Sequence, residues 1–178
     1  ISSTDYVGHS FGPNSIEIED TYLRLDKDIE SFLNYLDKTV GKGNYTLFLS
    51  ADHGVAHVPA FLKEHKIPAG TFDDADILKE LNRKIEEKFA VKTAVKTVMN
   101  YQVYLNDKNI AEQNKSKDEI IDFVIDRLKE KDFIINAFEL DEVMEAALPA
   151  PQREMMINGY NPKRSGDIEF TFKSGYFD

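Results

Sequence analysis

The sequence has no cysteine, so neither a disulfide nor a thiolate metal site can form, and any metal must be held by His, Asp, Glu or backbone oxygen. That absence suits oxidising and reducing compartments alike. No apolar run approaches the roughly 20 residues needed to cross a bilayer, so no membrane span is expected. Positive charge is also in short supply: 22 basic side chains face 32 acidic ones, for a net charge of −10. This balance argues against a nucleic-acid surface, which needs clustered Lys and Arg. A small anionic substrate stays open, because bound cations reverse a local field. Internal repeats and low-complexity segments are lacking too. Ile1 rather than Met stands first and no signal-peptide pattern precedes the first motif, so the chain reads as a piece of a longer protein rather than a processed product.

What is present is enough for one ordinary domain with a core: 178 residues, 42% hydrophobic and 30% charged. Residues Asn14 to Lys42 read as one helix, with Asn14 as cap, Glu17 three residues on, and an apolar stripe at Ile18, Tyr22, Leu25, Ile29, Phe32, Leu33 and Leu36. Gly41 and Gly43 end it. "YTLFLS", Tyr45 to Ser50, follows as a short apolar run that fits a strand buried on both faces. Helix and then buried strand is the rhythm of an α/β layer fold, whose sites lie beyond the carboxyl ends of the strands. Asp52 and His53 fall there. From Val58 the character changes. Helices are expected at Asp76–Phe89, Lys117–Lys131 and, shorter, Asp141–Leu148; strands at Val91–Met99, Gln102–Leu105, Phe133–Leu140 and Asp167–Lys173. The expected organisation is 1–57 as part of an α/β core, 58–160 as an inserted α+β cap subdomain, and 161–178 as a return segment.

Two short stretches carry candidate chemistry. "STDYVGHSFGP", Ser3 to Pro13, holds Asp5 and His9 among three helix-hostile residues and reads as a loop. "SADHG", Ser50 to Gly54, sets Asp52 beside His53 at a turn that Gly54 allows. Either pair alone is most simply loop chemistry, with the Asp making an Asx-turn or cap and the His bonded to backbone. Together they are two carboxylate–imidazole pairs beside the same helix–strand unit, which suits zinc or another divalent ion. Two half-sites point to a two-metal hydrolase, whose ions sit about 4 Å apart and clamp the attacking and leaving oxygens.

"DYVGHSFGP" followed by "FLSADHG" resembles the alkaline phosphatase superfamily, in its type I phosphodiesterase/nucleotide pyrophosphatase branch with the related broad-substrate bacterial alkaline phosphatases. The tail "NPKRSGDIEFTFKSGY", Asn161 to Tyr176, is similar to the segment those phosphatases carry before their last metal-ligand motif. The resemblance implies a three-layer α/β core with the cap inserted. It also implies zinc-dependent hydrolysis of small phosphate esters by the full-length parent, with Asp5 and His9 on one zinc and Asp52 and His53 on the other. The Thr/Ser nucleophile of that family, its first-strand Asp ligand and its final His ligand have no counterpart in this sequence. Each zinc is thus left with two of its expected protein ligands, and this stretch alone is expected to be inactive. A periplasmic or extracellular location follows from the resemblance only. The alternatives are a non-catalytic fragment or interaction module, and a sulfatase or phosphomutase of the same superfamily.

His57, four residues beyond His53, either orients a ligand from a second layer or is an ordinary partly buried His at the neck of the cap. His65 reads as a solvated loop residue. Lys163 and Arg164 are either phosphate contacts or surface-turn residues. "DDAD", Asp73 to Asp76, matches a helix N-terminus and not an EF-hand. The eight Tyr and twelve Phe are spread without a stacking platform.

Overall fold

The computed structural model describes residues 2–177. The chain divides into two compact units, Ile1–Ala69 and Gly70–Asp178. This division differs from the expected limits at both ends: the second unit starts at Gly70 and takes in the tail, whose strand lies inside its sheet.

The first unit is helical. Helix α1 spans Ser2–Phe11, so the opening motif is a helix and not a loop. Its glycines explain the difference. Gly8 is buried within the helix, and Gly12, at φ +82°, closes it by donating its N–H to the Gly8 carbonyl at 2.9 Å. Helix α2 spans Ile16–Leu36 and packs against α1. Ser15 rather than Asn14 is its cap, accepting the Ile18 N–H at 3.2 Å. A π-helical turn at Asp37–Gly41 ends the helix, and the Tyr45 hydroxyl donates to Asp37 Oδ1 at 2.8 Å. Helix α3 is a short piece, Pro59–Glu64.

The strand expected at Tyr45 to Ser50 does not form. Those residues are irregular, and Phe48 and Leu49 are 85% and 87% exposed. A buried strand needs hydrogen-bonding neighbours on its edges and cover on both faces. Among the described residues, 2–69 hold no strand that offers either. The α2 stripe is consequently only half covered. Ile18 is buried and Leu25, Ile29, Leu33 and Leu36 are partly so, while Tyr22 and Phe32 face solvent.

The second unit is α+β. A two-residue strand β1 (Gly70–Thr71) pairs in parallel with the last strand, β6 (Tyr176–Phe177). Helix α4 spans Asp74–Phe89, with Asp73 capping it by accepting the Ala75 N–H at 2.7 Å. Strands β2 (Val95–Met99) and β3 (Gln102–Leu105) form the expected hairpin, turning through Asn100 and Tyr101 in left-handed conformations. Next come α5 (Asp107–Glu112), α6 (Lys117–Lys129), β4 (Ile134–Glu139), α7 (Ala150–Gly159) and β5 (Ile168–Phe172). The antiparallel sheet runs β2-β3-β5-β4, with Val103 opposite Ile168 and Ala137 opposite Phe170.

Helices α4 and α6 lay Ile77, Leu81 and Ile85, and Ile120, Ile121, Val124 and Leu128, into one core with the sheet's Val103, Ala137, Ile168 and Phe170. Each buried aliphatic side chain contributes roughly 1.5–3 kcal/mol. Two polar ties fix the register. The Asn82 amide exchanges two hydrogen bonds with the Val95 backbone, both at 2.9 Å. Asp167 accepts the Leu105 N–H at 2.7 Å and pairs with Lys117 at 2.6 Å. Burial opposes the Lys117 charge, but Asp107 and Asp167 outweigh it and push the ammonium group above its usual range. The helix expected at Asp141–Leu148 is instead a run of tight turns, such as Glu145 N–H to Glu142 O at 2.9 Å. The turns end by Ala146, and Leu148, held out of the helical region by Pro149, precedes α7.

Candidate metal centre

Helix α1 is what brings the first pair together. Asp5 and His9 are one turn apart on the same face, and His9 Nε2 lies 3.3 Å from Asp5 Oδ1. His53 approaches the same carboxylate from the irregular segment after Ser50, with Nε2 3.5 Å from Asp5 Oδ1. One donor atom from each of Asp5, His9 and His53 lies within 4.8 Å of the other two. The His9 and His53 rings meet edge to face, with centroids 5.7 Å apart. The three residues come from segments more than forty positions apart and belong to the same unit.

Asp52 stands beside this group rather than in it. Its Oδ1 accepts the His53 N–H at 3.1 Å, its Oδ2 lies 3.8 Å from His53 Nε2, and its side chain is 90% exposed. His53 Nε2 is therefore within reach of both acidic partners. The backbone also decides which nitrogen faces them. His53 Nδ1 donates to the Gly54 carbonyl at 2.8 Å, leaving the Nε2 lone pair directed at the carboxylates when the ring is neutral. The Gly54 carbonyl, with Asp52 and Asp5, also favours the imidazolium and raises the His53 pKa above its ordinary range.

The donor set fits zinc. It combines carboxylate oxygen with imidazole nitrogen, and bonds of about 2.0–2.2 Å in a tetrahedron place neighbouring donors roughly 3.3–3.6 Å apart. The 3.3 and 3.5 Å separations lie in that interval, and the 3.8 Å one lies just above it. A cleft of ≈1160 Å³, lined among others by Asp5, Asn14, Tyr22, Leu25, Asp52 and His53, opens beside the group.

The remaining candidates are accounted for locally. His57 accepts from the Asn14 amide, Nδ2 to Nδ1 at 2.9 Å, and its ring stacks on Phe61 at 4.9 Å. His65 also stacks on Phe61, at 4.1 Å, and donates from Nδ1 to the Phe61 carbonyl, closing α3. Lys163 and Arg164 belong to the second unit, in an Asx-turn where Lys163 N–H reaches Asn161 Oδ1 at 3.0 Å. Sequence reasoning missed the part played by Asn14. Its place before the helix signalled a cap, and the partner that holds it instead is 43 residues away.

A sequence profile of the type I phosphodiesterase/nucleotide pyrophosphatase family matches residues 1–177, and the chain belongs to that family. Within it, the chain is 50% identical over 176 residues to alkaline phosphatase PafA of Elizabethkingia meningoseptica, and 46% identical over 180 residues to alkaline phosphatase PhoV of Synechococcus elongatus. It is 51% identical over 177 residues to a Myroides odoratus protein named calcium-transporting ATPase. Each match covers 99% of this chain and 32% of the relative, so the chain spans about a third of the length of these relatives. The crystal structure of wild-type PafA superposes with a TM-score of 0.91 over 97% of this chain and 33% of that one. The mixed α/β structure thus matches part of the PafA structure.

Proposed function

We propose that this chain is the part of a zinc-dependent phosphate-ester hydrolase that supplies Asp5 and His9 to one zinc ion and Asp52 and His53 to its neighbour. The observation that carries the reading is the convergence of Asp5 and His9, on α1, with His53, from the segment after Ser50: the 3.3 Å Asp5–His9 spacing suits two donors on one ion, and the 3.5 Å Asp5–His53 spacing brings the second pair up to the first. Two ions about 4 Å apart require ligands on their facing sides to approach closely, as His53 approaches Asp5. The family and the two alkaline phosphatases among the relatives support the ester-hydrolase class.

When bound, zinc supplies Lewis-acid charge to the phosphoryl oxygens and lowers the pKa of a bound water. The residues of this chain prepare for that. Asp5 and Asp52 provide negative charge that holds the cations in place, and the Gly54 carbonyl presents His53 Nε2 as the donor atom. The hydroxyl nucleophile and the ligands that complete each zinc belong, in this reading, to other parts of the parent, whose core we take to be the three-layer α/β fold. We place the parent in the periplasm or outside the cell. Among the described residues no helix is long and apolar enough to cross a membrane.

The test is zinc content and p-nitrophenyl phosphate hydrolysis by the full-length parent and its Asp5→Ala, His9→Ala, Asp52→Ala and His53→Ala variants. Two zincs per parent molecule are expected, each variant losing about one of them and at least a hundredfold in kcat/KM. Unchanged zinc content in all four would remove the assignment.

A further inference from the structure

The segment that carries His53 is seated on the α1–α2 corner at three points. A methyl group on Gly8 would come within 2.9 Å of Val55 Cγ2, and one on Gly12 within 3.2 Å of the Val58 methyls, so both glycines leave room for this segment to lie directly on the helix. The third point is the hydrogen bond from Asn14 Nδ2 to His57 Nδ1 at 2.9 Å. The first two contacts are apolar and resist sliding only weakly. The third is directional, and it joins the corner just before α2 to a residue four positions beyond His53.

The side chains on either end are committed to it. Because Ser15 caps α2, the Asn14 amide is released from that duty. Because an amide nitrogen donates, His57 accepts at Nδ1. Stacking on Phe61 sets the ring plane.

We propose that Asn14 and His57 form a positioning clamp that sets the register of the Asp52–Val58 segment on α1, and so holds His53 against Asp5 and His9. This rests on the zinc reading given above. Neither residue is a ligand. Each acts through the placement of His53, and loss of the clamp should loosen the metal site without unfolding the protein.

Two substitutions at one position separate the bond from the packing. His57→Phe keeps the stack on Phe61 and removes the acceptor. His57→Asn gives up the stack and returns an acceptor oxygen near the place of Nδ1. In the full-length parent, zinc affinity would be measured by chelator competition, with thermal melting as a check on folding. His57→Phe and Asn14→Ala should each weaken zinc retention about three- to tenfold, the scale of one hydrogen bond. The double variant should lose no more than either single one, since both remove the same bond. His57→Asn should bind zinc like the parent.

Wild-type affinity in His57→Phe, or equal losses in the Phe and Asn variants, would overturn the clamp. Additive losses in the double variant would do the same. The His53→Ala variant distinguishes the two levels. If it loses zinc while His57→Phe does not, only the clamp is wrong; if it keeps all its zinc, the metal reading fails and the clamp with it.

Discussion

The two units of this chain spend their apolar residues in opposite ways. In the second, Leu81, Ile85, Ile120, Leu128, Ile168 and Phe170 are all 1% exposed or less and share one core. In the first, Ile18 and Leu62 are the buried large apolar residues among those described, while Tyr6, Ile16, Leu47, Phe48 and Leu49 are all more than half exposed. Yet the first unit holds the titratable cluster and the open cleft. A closed sheet-and-helix core carries its own stability, whereas a site assembled from one helix face and one irregular segment depends on whatever covers the apolar surface around it.

Separating the two units tests the contrast between them most directly. Residues 70–178 expressed alone should unfold cooperatively in urea, with slow amide exchange in α4, α6 and the central strands. Residues 1–69 alone should exchange within minutes and show no cooperative transition. Equal protection in the two pieces would mean that the exposed residues of the first unit support a core of their own.

Within the whole chain, the same contrast should appear at single phenylalanines. Phe170 is 1% exposed in the centre of the sheet, and Phe170→Ala should cost about 3–5 kcal/mol through lost burial and a cavity. Phe48 is 85% exposed, and Phe48→Ala should stay within about 0.5 kcal/mol. Urea midpoints read both. A cost above about 2 kcal/mol at Phe48 would show that this residue is covered in solution.

How much could be read in the sequence follows the same line. In the second unit, the stripes of α4 and α6 and the alternation of β5 were legible because burial is local and periodic there. Helix α7 was not, since it buries no residue and offers no period to read. In the first unit, the apolar run Tyr45 to Ser50 has the composition of a buried strand, but composition cannot supply the neighbouring strands that would make it one. Helix α1 was hidden by Gly8 and Gly12, which break helices in isolation but here admit Val55 and Val58. Of the site, the residue types were legible and the grouping was not. Spacing along the chain pairs Asp5 with His9 and Asp52 with His53; only the fold brings His53 up to Asp5.

The smallest effect expected concerns Glu169, on β5 in the closed unit. Burial raises its carboxyl pKa, and the Gln102 amide, donating to Oε2 at 2.9 Å, offsets this only in part. The sign follows from linkage. A carboxyl raised in the folded state binds its proton more tightly there than in the unfolded chain, so stability falls as pH rises from the ordinary Glu value of 4.5 through the raised one. Glu169→Gln removes that titration and keeps a carbonyl oxygen for Gln102 to reach. The variant should therefore match the parent chain below about pH 4, gain on it as the pH climbs, and hold a constant lead at neutral pH. That lead should be less than about 1 kcal/mol, the ordinary scale of one side-chain hydrogen bond. Urea midpoints across the pH range would show it. A variant less stable than the parent at neutral pH would mean that the charged carboxylate contributes more through Gln102 than it loses by burial.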